Sequence, residues 1–419
     1  MATYYIDSIN GKVQNSGLSE NEPKSSHIGL ILKGGDNLLF KRGCFIRGGL
    51  HNVSGEDGNP ITYGAYGIGK NPIFCGSVDM SDVNDWKETD KNIWECVNVP
   101  ETEACNFIFD NSDLCGALRW EKEDLNEQGE WYDTCIGYGE GGKSFEQYEH
   151  KIFMYSKENP AKHYSHIECV VRGERTLANN GHDMIISDLS FINSGVHALS
   201  GEGKSHNIKI LNCKFEYIGG CVWNKEQKIR FGNGVEFWNV AENIKVENCV
   251  FNDIYDSAVT HQGGGIELKP ADNLIIQNNI FIKCGMAAFE QRDLLPKYAV
   301  FNNNICLDAG MGFSRLGETM PRRSEIYPQP MGHHIFLWRI KETTENARFE
   351  IKNNVFGSAP YGGVIYSIIS KAAEVQIDIN NNIYNVKEKV LLNRLFGEDF
   401  KTLTEYQKAT GKDTNATEL

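Results

Sequence analysis

Short runs of alternating apolar and polar residues recur through the middle of the chain: Ile208-Lys209-Ile210-Leu211, Ile244-Lys245-Val246-Glu247, Leu274-Ile275-Ile276-Gln277 and Phe349-Glu350-Ile351-Lys352. A period of two predicts strands with one buried face. The runs lead into one recurring phrase: Asn212-Cys213-Lys214-Phe215, Asn248-Cys249-Val250-Phe251, Asn278-Asn279-Ile280-Phe281, Asn303-Asn304-Ile305-Cys306, Asn353-Asn354-Val355-Phe356 and Asn381-Asn382-Ile383-Tyr384. Asp188-Leu189-Ser190-Phe191 is a degenerate first copy. Repeats of this length predict a solenoid. Short strands stacked about 4.8 Å apart, one coil per repeat, make it an all-β parallel β-helix. The leading Asn212, Asn248, Asn278, Asn303, Asn353 and Asn381 are expected to stack at a turn and bond one coil to the next, a scaffold role.

Residues 1–78 read as an N-terminal cap and first coils, with strand–turn units at Leu38-Leu39-Phe40-Lys41-Arg42-Gly43 and Pro60-Ile61-Thr62-Tyr63-Gly64. Residues 79–165 break the rhythm and are rich in Trp, Asp, Glu and Gly. They predict an irregular insert of hairpins packed on the early coils, with short helices over Asp82 to Glu95 and Arg119 to Glu130. Regular coils are expected over 166–395. Residues 396–419 predict a short helix at Leu403 to Ala409 and a frayed end.

The opening strand–turn units, together with Trp131-Tyr132-Asp133, Ile152-Phe153-Met154-Tyr155-Ser156, Asn159-Pro160-Ala161 and the tail Leu403 to Asp413, resemble the secreted bacterial right-handed parallel β-helix proteins with the pectin-lyase-like fold. That group of carbohydrate-active proteins includes polysaccharide lyases, glycoside hydrolases and epimerases. The resemblance implies a right-handed helix and a secreted or extracellular protein whose signal peptide is absent from this chain. The proteins it resembles continue past this tail, which implies a piece of a longer chain. One fold hosts many chemistries, so the reaction has to come from the residues.

Composition narrows the field. The formal net charge of −14 disfavours nucleic acid, which needs a basic face. No apolar run of membrane-spanning length occurs, so no membrane span is expected. The 12 cysteines include no CxxC pair, and no zinc or other resident metal is expected. Cys213 and Cys249 hold equivalent repeat positions and read as stacked core residues. The cysteines are expected to be mostly free thiols, with disulfides among Cys96, Cys105, Cys115 and Cys135 as the alternative. A monomer is expected.

Counting back from each Asn aligns Gly234-Val235-Glu236-Phe237-Trp238 with Gly265-Ile266-Glu267-Leu268-Lys269 and Ala288-Phe289-Glu290-Gln291-Arg292. The apolar flankers face inward, so the glutamates face out. His197 falls in the same column. The predicted row is therefore His197, Glu236, Glu267 and Glu290. Stacked carboxylates repel and add nothing to a scaffold. They are expected where groups share a proton, hold a cation or flank a glycosidic bond. In a second register Ser257 to Gln262 is itself the face strand, which brings Thr260 and His261 to the face and sends Glu267 elsewhere. Glu236 and Glu290 belong to the row in both.

The outward flankers Trp238, Lys269 and Arg292 resemble a sugar subsite. Loops before the face strands add Trp223, Asp256, Tyr255, Gln262, Arg315, His333 and His334, and Trp338 follows on a later strand. Three functions suit this set. Glycoside hydrolysis would use a glutamate pair, Glu236 with Glu267 for retention or with Glu290 for inversion. A polysaccharide lyase or C5-epimerase acting on a uronate would use Lys269, Arg292, His261 or Tyr255 as base, with calcium held by the glutamate row. A non-catalytic glycan-binding adhesin would need no converging acids. The partner in each case is a polysaccharide or oligosaccharide, with no further cofactor.

Overall fold

The computed structural model describes residues 1–110, 114–137, 149–173, 181–262, 271–312, 332–342, 345–360, 362–369, 373, 375–386, 393–395 and 398–419. Two long sheets follow the repeat. One has ten strands, and every pairing in it is parallel. It runs from Phe45–Arg47 through Lys214–Ile218, Val250–Ile254 and Ile280–Cys284 to Thr417–Glu418. The other has sixteen strands and folds over two faces. Its 13-residue strands Leu199–Leu211 and Val235–Glu247 bend across both faces. Beyond them the sheet divides. Ser257–Gln262, Ala287–Leu294 and His333–Glu342 continue one face, and Asp272–Gln277, Tyr298–Asn302 and Arg348–Lys352 continue the other. The chain is thus a three-faced parallel β-helix, as the alternating runs predict.

In-register parallel pairing places like residues over like. The phenylalanines that close the repeated phrase form a core column, Phe191–Phe215–Phe251–Phe281, with ring centroids 5.4, 4.6 and 5.1 Å apart. Corners are turned by single residues in the left-handed region. Asp188, Asn212, Asn248, Asn278, Asn303, Asn353 and Asn381 all have φ between 54° and 58°. Asn and Asp visit this region more readily than other side-chain-bearing residues.

The coil-to-coil ladder is therefore not made by these leading residues. It belongs to the residue after each. Cys249 N–H donates to Asn279 Oδ1, Asn279 N–H to Asn304 Oδ1, Asn304 N–H to Asn354 Oδ1 and Asn354 N–H to Asn382 Oδ1, each at 2.9 Å. Each of these asparagine side-chain amides also donates to a strand carbonyl of the preceding coil, as Asn304 does to Ile276 at 3.1 Å. Cys213 and Cys249 direct their thiols at the equivalent carbonyls of Ile186 and Ile210. Turn amides without a sheet partner are satisfied in this way.

The tail is not frayed. Thr402 and Glu405 form a capping box on the helix Leu403–Thr410, Gly411 closes it with φ 68°, and Leu403 and Tyr406 are buried. Asp413 then ends the ladder, accepting from Asn382 N–H at 3.2 Å, Asn382 Nδ2 at 3.0 Å and Tyr384 O–H at 2.7 Å. Asp413→Ala leaves three buried donors without their acceptor. It is expected to lower stability by about 2 kcal/mol, read as a lower urea midpoint with unchanged slope.

The insert is a mostly antiparallel body with its own core around Trp131, Phe107 and Phe109. Its strands begin at Ser77–Asp79 and end at Ile167–Val171, a few residues beyond the predicted bounds. The expected helices are single turns, Val83–Asp85 and Lys122–Asp124, and their flanks are strands. The helix passes through uninterrupted, because Ile61–Tyr66 pairs directly with His182–Ser187. All twelve cysteines are buried free thiols. No helix among the described residues is long and apolar enough to cross a membrane.

Candidate active site

The face strands set the site. Their register puts Ser200, Glu236, Thr260, Glu290 and Phe336 in one column and Trp238, Gln262, Arg292 and Trp338 in the next. Val235, Phe237, Val259, Phe289, Ile335 and Leu337 point the other way into the core. Glu236 and Glu290 are therefore two strands apart, roughly 10 Å between backbones, with Thr260 between them. This is the second of the two registers. Thr260 holds the position between them because Ser257–Gln262 follows Asp256 directly and forms the face strand. Glu267, Lys269 and Arg315 lie outside the described residues.

Each carboxylate has built partners. His197 Nε2 lies 2.5 Å from Glu236 Oε2, and His197 Nδ1 accepts from Asn233 N–H at 3.0 Å. An occupied Nδ1 places the ring hydrogen on Nε2, so His197 donates to Glu236. Glu290 accepts from Ser257 Oγ at 2.7 Å and from Arg292 Nε. Ser257 N–H in turn donates to Asn233 Oδ1 at 2.9 Å. A bonded chain thus runs Glu236–His197–Asn233–Ser257–Glu290 along the rim of the face. Asn233 and Ser257 are not among the residues the sequence points to, since neither is ionisable.

Glu290 is fully buried. Burial, reinforced by the nearby Asp256 charge, raises its pKa above 4.5, against the opposing pull of Arg292 and Ser257. A carboxyl group that keeps its proton to higher pH than an exposed one suits a proton donor. Between the two acids the Thr260 hydroxyl is buried and has no hydrogen-bond partner, and neither does Ser200 Oγ beside Glu236. Buried hydroxyls normally find partners. Among the described residues neither hydroxyl has a partner, although both stand against the two acids.

The other predicted residues divide by face. Trp238 is 41 % exposed, and Trp223 is 48 % exposed on the hairpin of Cys221–Asn224 with Ile229–Phe231. Gln262 faces outward beside Arg292. Phe336 and Trp338 stack with centroids 5.4 Å apart, and His333 lies parallel to Phe336 at 5.7 Å, an aromatic strip one coil past Glu290. Asp256 is buried near Glu290.

Three residues are not placed to act on a substrate. His261 points into the coil, where Gln291 Nε2 donates to its Nδ1 at 2.7 Å and its Nε2 meets the Asn239 carbonyl at 2.8 Å. Burial lowers its pKa. The alternation that turns Thr260 out turns His261 in. His334 is buried against Phe356, bonded to the Gly357 carbonyl, with its pKa lowered to about 4 by burial. Tyr255 is buried beneath the Arg230 guanidinium in the seam between insert and coils.

No protein-family model matches the sequence, and no curated protein matches it. Solved structures do. XylC in complex with xylose superposes with a TM-score of 0.52 at 13% identity, over 92% of this chain and 62% of that one. The chain has the pectin-lyase-like parallel β-helix fold. The same fold places it beside the GH136 lacto-N-biosidase of Eubacterium ramulus, at TM-score 0.48 and 15% identity, over 99% of this chain and 66% of that one. It also lies beside pectate lyase Pel9A, at TM-score 0.37 and 12% identity, over 99% and 80%. The chain spans less than two thirds of the length of XylC and of the biosidase.

Proposed function

We propose that the chain is a carbohydrate-active enzyme that hydrolyses glycosidic bonds with inversion, Glu290 acting as acid and Glu236 as base. The observation that carries this reading is the pair itself, on one outward column two strands apart, with an unpartnered Thr260 hydroxyl between. Inverting glycosidases hold their carboxyls about 6.5–9.5 Å apart, leaving room for a water; retaining ones hold them at about 5–5.5 Å. Adjacent coils would give the shorter spacing and alternate coils the longer.

The roles follow from the surroundings. Glu290, whose hold on its proton is strengthened by burial, gives that proton to the leaving oxygen. Glu236 takes a proton from the water that attacks the anomeric carbon. His197 bonds Oε2 of Glu236 and so fixes how the carboxylate is turned toward that water. The Thr260 hydroxyl offers the water or a sugar hydroxyl one more bond. The exposed Trp238 and the partly buried Trp338, which stacks on Phe336, give sugar rings apolar faces to lie on.

Elimination is less well supported. Of its candidate bases, His261 and Tyr255 are turned away from the face, and Arg292 is bonded to Glu290. Thr260 also replaces the middle carboxylate that a calcium site on the row would use. Incubation with a panel of neutral and uronate-containing glycans tests the choice. New reducing ends without an unsaturated uronate chromophore support hydrolysis. Appearance of the chromophore, abolished by chelator, contradicts it.

Thr260→Val separates site from scaffold. The valine fills the same space and removes a buried hydroxyl that bonds nothing. The variant is expected to be as stable as the parent or more stable by up to about 1 kcal/mol, in urea unfolding. Turnover is expected to fall roughly 10-fold, as for loss of one hydrogen bond at the transition state. Unchanged turnover would remove Thr260 from the site.

A further inference from the structure

A second cluster lies on another face and is used by nothing described above. Asp183, Asn207, Asn243 and Asn273 turn one outer corner of successive coils, with φ between 50° and 54°. Their side chains chain along it. Asn273 Nδ2 donates to Asn243 Oδ1 at 2.9 Å, Asn243 Nδ2 to Asn207 Oδ1 at 3.0 Å and Asn207 Nδ2 to Asp183 Oδ1 at 3.0 Å. The chain of amides ends in a carboxylate, and only one of its oxygens is used by the chain.

The other oxygen faces two histidines. Asp183 Oδ2 lies 2.8 Å from His182 Nδ1 and 3.7 Å from His206 Nε2. The two imidazoles stack at 4.7 Å with planes 7° apart, because His182 and His206 are register partners on adjacent coils. His206 Nδ1 lies 3.3 Å from the Lys204 carbonyl, which can only accept, so Nδ1 carries hydrogen. In the neutral ring Nε2 is then a bare lone pair facing a carboxylate oxygen. At 3.7 Å the two acceptors do not bond each other, and a metal ion between them would be ligated by both.

We propose that His182, Asp183 and His206 bind a divalent transition-metal ion of the zinc class, and that the ion clips two adjacent coils together. Imidazole and carboxylate are zinc's ligand chemistry, and four ligands at about 2.1 Å from tetrahedral zinc stand about 3.4 Å from one another. The three donor atoms here all lie within 4.8 Å of one another, so a side-chain adjustment of little more than an ångström completes the geometry. The Lys204 carbonyl gives His206 the outer partner that metal-bound histidines ordinarily have. The exposed Glu242, the register partner of His206 on the next coil, is the nearest carboxylate by register to supply a fourth ligand, although it lies outside the three-residue cluster. Water is the alternative. Glu242 lies six residues past Glu236 on the same bent strand, roughly 20 Å of extended chain, so the ion is no part of the glutamate site. The absence of CxxC in the sequence does not bear on this site, whose histidines meet only through strand register.

Zinc titrated calorimetrically into the chelator-stripped full chain is expected to bind one ion per chain, with a Kd of roughly 1 μM or tighter. Cobalt in its place should show the visible absorption of a tetrahedral site. His206→Ala and His182→Ala should each weaken binding at least roughly 100-fold and abolish the zinc-induced rise in melting temperature. Both should keep the parent's metal-free circular dichroism. His150→Ala, which alters the separate Asp133–Cys135–His150 cluster, should leave zinc binding unchanged. Binding weaker than roughly 100 μM, or equal in His206→Ala and the parent, overturns the proposal, as does loss of the ion in His150→Ala alone.

Discussion

Glu290→Gln is expected to lower turnover on a natural glycan about 1000-fold, the range for removal of a general acid. Substrates whose leaving group needs no protonation, such as nitrophenyl glycosides, should lose far less. Glu236→Gln should cost both kinds of substrate alike, because water attack needs the base in either case. Steady-state kinetics on the two substrate classes reads both effects. The pH profile carries a second signature. Glu290 holds its proton above the ordinary 4.5 in the folded chain because it is buried, so activity should fall as pH rises through that higher value. The stability sign is the same. Above pH 4.5 the unfolded chain releases this proton while the folded one keeps it, so the stability from this group, fully present at lower pH, is lost as pH rises through the folded value. Glu290→Gln should abolish that loss. Equal activity of both variants and parent would remove the pair from the chemistry.

Asn304→Ala is expected to cost about 3–5 kcal/mol of stability by chemical denaturation. Asn304 Oδ1 accepts from both Asn279 N–H and Asn279 Nδ2, and its Nδ2 donates to Ile276 O and Asn354 Oδ1. Truncation removes all four bonds and strands buried groups on two coils. The neighbouring Asn303 gives the contrast. Its role is its φ of 56°, so Asn303→Gly should be nearly neutral and Asn303→Ala should cost about 1–2 kcal/mol. If Asn303→Ala proves costlier than Asn304→Ala, the ladder assignment is wrong.

That contrast shows where sequence reading stopped. The period-2 runs, the repeated phrase and the break at the insert were legible because they are patterns of burial, and parallel stacking repeats burial coil by coil. Two adjacent asparagines look alike in a sequence. Only backbone geometry shows that Asn303 turns the corner and Asn304 holds the ladder. The tail misled for a related reason, since Asp413 reads as polar and loose until its carboxylate is seen against Asn382 and Tyr384.

The site divides in the same way. Glu236 and Glu290 were legible because apolar flankers fix their facing in either register. Glu267 and His261 depended on where one strand began, and a one-residue difference in facing put His261 in the core and Thr260 on the face. Asn233 and Ser257 carry no charge to attract notice. They matter because they join His197 to Glu290 across two coils. The stacked His182 and His206 stand 24 residues apart in the chain, and only the register makes them neighbours.

The spacing of Glu236 and Glu290 makes one claim that a single measurement reaches. Proton NMR of a cleavage reaction, recorded before mutarotation, shows the anomeric configuration of the first product. Two carboxyls on alternate coils with room for water between predict the inverted anomer. The retained anomer would mean that the reacting carboxyls are closer than alternate coils place them, and an unsaturated sugar would mean that the pair does not hydrolyse at all.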